Sequence, residues 1–284
     1  MGVKIVTDST SDLPPALAEE LGITVVPLTV QFGSEVFIDR VTMSPDEFFE
    51  RLTLGEDYPT TSQPSVGDFV EAYERIGADA DGIVSIHVSD KVSGTLNSAR
   101  LASEQAEVSC PIEVLDTYSV SMGVTMVAME AARAASAGGD VDHVAGVAAD
   151  AIDRCQVLAL LDTLEYLEKG GRIGKAQALL GTLLRVKPMI ILREGVVHEL
   201  AKARTRRKGI AKLERTAREF APLVGLAVMH STTPDEADAL AKSLAGLLES
   251  GSEPMVMQFG PVLGTYVGPG AIGIGLLSAP ETDG

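Results

Sequence analysis

Four short segments of this 284-residue chain carry side chains suited to chemistry: Thr7-Asp8-Ser9-Thr10-Ser11, Thr61-Ser62-Gln63-Pro64-Ser65, Ser93-Gly94-Thr95 and Gly268-Pro269-Gly270. None has a histidine or cysteine beside it to activate a nucleophile. Hydroxyls and backbone amides in this pattern suit the holding of a polar ligand head rather than bond cleavage. The candidate contacts are Thr61, Ser62, Ser93, Gly94 and Thr95, with Asp8, Ser9, Gly268 and Gly270 at the periphery.

The same residues admit enzymatic readings. Asp8 and Asp12 follow an apolar run, as a phosphatase nucleophile would, but stand four positions apart instead of two. An Asp and Ser/Thr turn capping the next helix explains them equally. Ser93 lacks the flanking glycines of a nucleophile elbow, and His87, His143, His198 and His230 are isolated in sequence. A small-molecule hydrolase or phosphatase using Asp8 or Ser93 stands as the alternative reading. Gly174-Lys175 is followed by Ala176, so no P-loop is present, and the glycines of 270–275 do not match a dinucleotide fingerprint. Neither a cofactor nor a metal is expected.

The elements that must position these residues follow from periodicity and caps. Residues 3–6 read as a buried strand and 16–22 as a helix with Pro in its first turn and Gly at its end. A strand is predicted over 23–30, then a helix opened by the capping box Ser44-Pro45-Asp46-Glu47. Ser65 caps a helix over 66–76, so Thr61 and Ser62 precede a helix N-terminus, where backbone N–H groups favour an anion. Strands over 82–88 and 112–117 each lead through a polar loop into a helix. Strand, polar loop and helix thus recur, which predicts a parallel sheet with its loops at the carboxyl edge.

The second half reads differently. A connecting helix through Asp153 is followed by a strand over 156–161, short helices over 164–169 and 176–184, a β-rich stretch over 188–203, a charged helix over 208–220 and strand-helix-strand over 223–259. The reading is α/β in two domains, 1–154 with a parallel sheet and 155–284 with a mixed sheet.

Composition narrows the partner. A formal charge of −17 opposes a nucleic-acid partner. Aromatics are 4% of the chain and Trp is absent, so Val, Leu, Ile, Ala and Met must wall any cavity, which suits an aliphatic ligand better than a stacked base. No signal-peptide core or membrane span is evident, and Cys110 and Cys155 lack paired spacing, so a cytoplasmic protein with reduced thiols is expected. Two basic islands interrupt the acidic chain, Lys169-Gly170-Gly171-Arg172 and Lys202-Ala203-Arg204-Thr205-Arg206-Arg207-Lys208. They read either as solvated helix starts or as a docking patch for an acidic partner or phosphate, with an interaction module working through 204–208 as a third functional reading.

In order along the whole chain, Val6-Thr7-Asp8-Ser9-Thr10-Ser11-Asp12-Leu13, Thr61-Ser62-Gln63-Pro64-Ser65, Ser93-Gly94-Thr95, Leu167-Glu168-Lys169-Gly170-Gly171-Arg172-Ile173, Arg204-Thr205-Arg206 and Gly268-Pro269-Gly270 resemble the DegV family of bacterial fatty-acid-binding proteins. The resemblance implies a long-chain fatty acid with its tail in a tunnel of the 155–284 domain and its carboxylate at the domain interface, hydrogen-bonded by Thr61 and Ser93. It also implies a fatty acid kinase partner that phosphorylates that carboxylate, Arg172, Arg204 and Arg206 facing the kinase or phosphate, and transient contact with a membrane surface. The chain departs from the family pattern at Tyr266, where a histidine commonly precedes the final Gly-Pro-Gly by two residues. A phenol donates a hydrogen bond to a carboxylate but supplies no positive charge near neutral pH.

Overall fold

The repeat of strand, polar loop and helix builds the N-terminal domain. A computed structural model describes residues 2–55, 57–179, 186–249 and 251–280. β1 (Gly2–Asp8) runs through a 3-10 turn into α1 (Pro15–Leu21) and β2 (Ile23–Val26). Next come β3 (Thr29–Phe32), β4 (Glu35–Ile38), α2 (Pro45–Leu54) and β5 (Thr60–Ser62), then α3 (Val66–Gly77), β6 (Ala80–His87), α4 (Thr95–Gln105), β7 (Ile112–Asp116), α5 (Met122–Ser136) and α6 (Val141–Arg154). Strands β2-β1-β6-β7 form a wholly parallel sheet, so the polar loops after β1, β6 and β7 gather at one edge. The Ser44 box forms as predicted, and Ser65 makes a second with Asp68.

The expected strand over 23–30 is instead two strands in two sheets. Pro27 separates them, and because proline has no N–H to give a ladder, the chain leaves the parallel sheet there. The second piece, β3, is the middle strand of a small antiparallel sheet, β4-β3-β5, which carries Thr61 opposite Val30. Thr61 therefore lies on a strand and not in the expected loop; β5 is only three residues long and polar, so it carries no strand signal of its own.

The C-terminal domain contains β8 (Cys155–Leu160), α7 (Glu165–Lys169), β9 (Lys187–Arg193), β10 (Val196–Ala203), α8 (Arg206–Arg218), β11 (Leu223–His230), α9 (Pro234–Leu244), β12 (Met255–Gln258), α10 (Pro261–Val267) and β13 (Ile272–Ser278). Its sheet, β10-β9-β8-β13-β11-β12, is mixed: β11 and β12 are parallel and the other neighbours antiparallel. Of the helix expected over 176–184, residues 174–179 form a 3-10 turn and 180–184 lie outside the described residues. The charged helix begins at Arg206, two residues before the expected start, because Thr205 caps it by accepting from the Lys208 N–H.

α5 is shared between the domains. Its Met122, Val124, Met126 and Val127 are buried almost all round, as a helix between two sheets requires. One hydrophobic cluster therefore runs from Ile5 and Val84 through α5 to Val157, Ala227 and Leu277. The polar seam beside it centres on Asp12. Its Oδ1 accepts from Arg40 Nη2 at 3.0 Å and from the Gly260 N–H at 2.7 Å, and its Oδ2 accepts from the Ser121 hydroxyl at 2.6 Å. The Arg40 Nη2 also donates to the Gln258 carbonyl at 2.7 Å, which ties the small sheet's loop to the C-terminal domain.

Asp39 lies buried in the same seam. Burial and the nearby Asp12 charge push its carboxyl from an ordinary 3.8 to about 7, against the lowering effect of the Ser9 hydroxyl, the Arg40 guanidinium and the Val262 N–H. A raised acid binds its proton more tightly folded than unfolded. Its contribution to stability is present below about pH 4 and is lost as pH rises to about 7, by on the order of 3–4 kcal/mol. Asp39→Asn is expected to gain stability relative to the parent as pH is raised from 4 to 8 in urea titrations. A difference that stays constant with pH would contradict the assignment.

Candidate functional site

The polar loops and the small sheet meet the C-terminal domain around a cavity of about 300 Å³. Its apolar wall comes from both domains, with Leu28, Val88, Val92 and Val120 on one side and Leu167, Ile190, Leu192, Val197, Val262, Leu263 and Val267 on the other. The polar lining is contiguous. Thr61 Oγ1 and the Tyr266 hydroxyl are hydrogen-bonded at 2.5 Å, and the Arg172 guanidinium lies 5.2 Å from the centre of the Tyr266 ring. Arg172 Nε donates to the Val92 carbonyl at 3.1 Å, beside Ser93. Gly94 approaches Gln63 so closely that a Cβ there would stand 2.0 Å from its Oε1.

This end is built to face negative charge. Gly94 is the N-cap of α4 and gives no side-chain cap, so the positive end of that helix abuts the cavity. The Ser93 hydroxyl is held by Thr95 Oγ1 at 2.9 Å. Arg172 brings a full positive charge into the lining, and its Nη1 is steadied by the Gly170 carbonyl at 2.7 Å. Among the described residues no group of three or more His, Cys, Asp or Glu is placed to hold a metal ion.

The structure brings Thr61, Ser62, Ser93, Gly94, Tyr266 and Arg172 together at the cavity. Thr95 is fully buried behind Ser93 and acts on the cavity by orienting that hydroxyl. Gly268 and Gly270 are not in the lining. They shape the turn after α10: at φ +69° a Cβ on Gly268 would stand 2.2 Å from Tyr166, and at φ +75° one on Gly270 would stand 2.8 Å from Asp162. Arg206 pins that turn through the Gly270 carbonyl at 2.5 Å, while also binding Asp162 and Glu236. Arg204 is exposed and lies outside the lining. Thr10 and Gln63 belong to the lining and were not singled out, although both stand in the quoted segments.

Asp8 and Ser9 serve the fold. Asp8 Oδ1 accepts from the Thr10 N–H and hydroxyl, and its Oδ2 accepts from His87 Nδ1 at 2.9 Å and from the Val88 N–H at 3.2 Å. His87 Nε2 in turn meets the Ser85 hydroxyl at 2.6 Å, and Ser85 meets the Tyr73 hydroxyl at 2.8 Å. Burial raises the Tyr73 hydroxyl well above the usual tyrosine range, so it remains a donor. The chain Tyr73–Ser85–His87–Asp8 has the order of a hydrolytic triad, yet all four residues are fully buried and the His87 ring packs edge-on against Phe69. It therefore offers no reacting group to a substrate. Ser9 accepts from the Leu28 N–H at 3.0 Å, joining β1's loop to the small sheet. His87→Leu is expected to lower unfolding free energy by about 1–3 kcal/mol, because it removes one of four donors to the buried Asp8 carboxylate and the Nε2 partner of the buried Ser85 hydroxyl. A urea midpoint equal to the parent's would refute this structural role.

The architecture is thus two α/β domains with a cavity between them, apolar along its wall and lined by hydroxyls and a guanidinium at one end. A family model described as an uncharacterised protein of the DegV family matches residues 2–279, and the chain belongs to the DegV family. A DegV domain-containing protein of Streptomyces coelicolor is 40% identical over 275 residues, which is 96% of this chain and 97% of that one. The structure is similar to that of a fatty-acid-binding DegV family protein from Thermus thermophilus, with a TM-score of 0.90 and 35% identity over 98% of this chain and 100% of the other. It is also similar to DegV of Bacillus subtilis, described as a fatty acid binding protein, with a TM-score of 0.86 and 30% identity over 98% of this chain and 99% of that one.

Proposed function

We propose that this protein binds one long-chain fatty acid, with its carboxylate at Thr61, Ser93, Tyr266 and Arg172 and its tail along the apolar wall, and presents the carboxylate to a partner kinase. The observation that carries the reading is the division of one cavity into a contiguous hydroxyl and guanidinium end and a Val/Leu/Ile wall. Burying ~14 to 18 methylenes at roughly 0.8 kcal/mol each gives a gross gain of about 11 to 14 kcal/mol before ordering costs. The tail thus sets affinity. The head residues keep a carboxylate from being buried without partners, which would otherwise cancel much of that gain.

Exposed Arg172, with Arg204 on the same domain's surface, supports a role for positive charge at the kinase or its phosphate. The transfer needs no nucleophile from this chain. A carboxylate oxygen attacks the terminal phosphorus of ATP, the new C–O–P linkage forms as the bond to ADP breaks, and an acyl phosphate leaves. The protein's part is orientation and exclusion of water. Tyr266 supplies a hydrogen bond where a histidine could also supply charge, so the site is tuned more toward holding the acid than toward stabilising the transferred phosphoryl group.

Titration of delipidated protein tests the head group. The free acid is expected to bind more tightly than its methyl ester, and Thr61→Ala and Ser93→Ala are each expected to weaken the acid by about fivefold while leaving the ester unaffected. Equal binding of acid and ester, unchanged in both variants, would remove these hydroxyls from the site.

A further inference from the structure

The cavity has a neighbour. A second, solvent-open groove of about 770 Å³ runs between the domains, lined by the apolar Ile152, Cys155 and Val157 together with polar residues that include Lys91, Arg193 and Glu194. Leu192 is the one residue common to the linings of the cavity and the groove among the described residues. The loop after β7 shows the same thin partition, because Ser119 lines the groove and the adjacent Val120 lines the cavity.

We propose that Leu192 sets the tail length this protein accepts, by closing the cavity against the groove with a single side chain. The inference rests on the fatty-acid reading above. Leu192 points with Ile190 to one face of β9, and both line the cavity, as does Val197, the register partner of Leu192 on β10. The strands are joined by the two-residue turn Glu194-Gly195, at φ +50° and +79°, which fixes that pairing. The turn is itself seated, since a Cβ on Gly195 would stand 2.2 Å from Ser89 Oγ. On its other side β9 pairs with β8 at Leu158 and Ile191. The Leu192 backbone is therefore fixed by its pairing with β10 and by the seated turn, one residue beyond the last β8 pair, and the residue is only 9% exposed. Beyond it lies the groove, where Ile152, Cys155 and Val157 offer apolar contacts among the polar lining residues, so a shortened side chain would let a longer tail continue past β9.

The chemistry predicts a break in a plot of affinity against chain length. Each methylene that enters the cavity tightens binding by up to about fourfold, and one that stops at Leu192 adds nothing. Saturated acids of graded length titrated into delipidated protein locate that break in the parent. In Leu192→Ala it is expected to move to chains at least two methylenes longer, and in Leu192→Phe to shorter ones; Leu192→Val takes the place of Ala should the latter not fold. A purely structural role would shift all affinities in parallel and leave the break where it was, which would overturn the proposal. A parent protein that binds no acid of any length would instead overturn the fatty-acid reading itself.

Discussion

The Asp12 carboxylate holds the two domains in the one arrangement that makes a cavity between them. It is buried and accepts from three separate segments: Arg40 beside the small sheet, Ser121 before α5 and Gly260 before α10. Asp12, Arg40 and Ser121 all adopt positive φ, at 60°, 60° and 52°, a region non-glycine residues rarely occupy. Two such residues converge on the carboxylate of the third, and their mutual hydrogen bonds offset the conformational cost. Everything that lines the cavity depends on this junction. Thr61 comes from the small sheet, Ser93 from the parallel sheet's edge and Tyr266 from α10, and they meet only if these pieces are held together.

The cavity then divides its labour in a way its residues make plain. Branched aliphatic side chains from both domains supply apolar surface, whose attraction for an apolar group is nondirectional and strong in sum. At the other end the groups are few, and each is steadied by a neighbour: Ser93 by Thr95, Arg172 by two backbone carbonyls, Tyr266 by Thr61. Preorganised donors of this kind limit the ordering cost of receiving an anion. The buried Tyr73–Ser85–His87–Asp8 chain shows that the order of a catalytic triad alone does not define a reactive site; exposure decides what it does.

Much of this could be read from the sequence, for physical reasons that differ by element. The parallel sheet was legible because strand, polar loop and helix recur, and the helix starts at Ser44 and Ser65 were legible because capping is local chemistry. Thr61, Ser62, Ser93 and Gly94 were legible as candidate contacts because hydroxyls and glycine at strand ends are unusual in an apolar chain. The small sheet was not legible, since β4 is largely exposed and β5 is short, and neither shows a buried alternation. Nor were the pairings of Asp8 with His87 and of Asp12 with Gly260, which lie 79 and 248 residues apart and are set by tertiary register. Arg206 and Arg172 looked alike in sequence, and only their surroundings separate a turn-pinning guanidinium from one that lines the cavity.

The most direct measurement is mass spectrometry of the organic extract from protein purified without detergent, beside denatured and mock-purified controls. The account predicts a long-chain fatty acid in near-stoichiometric amount. Absence of lipid from the extract, together with no uptake of added fatty acids by the folded protein, would contradict it.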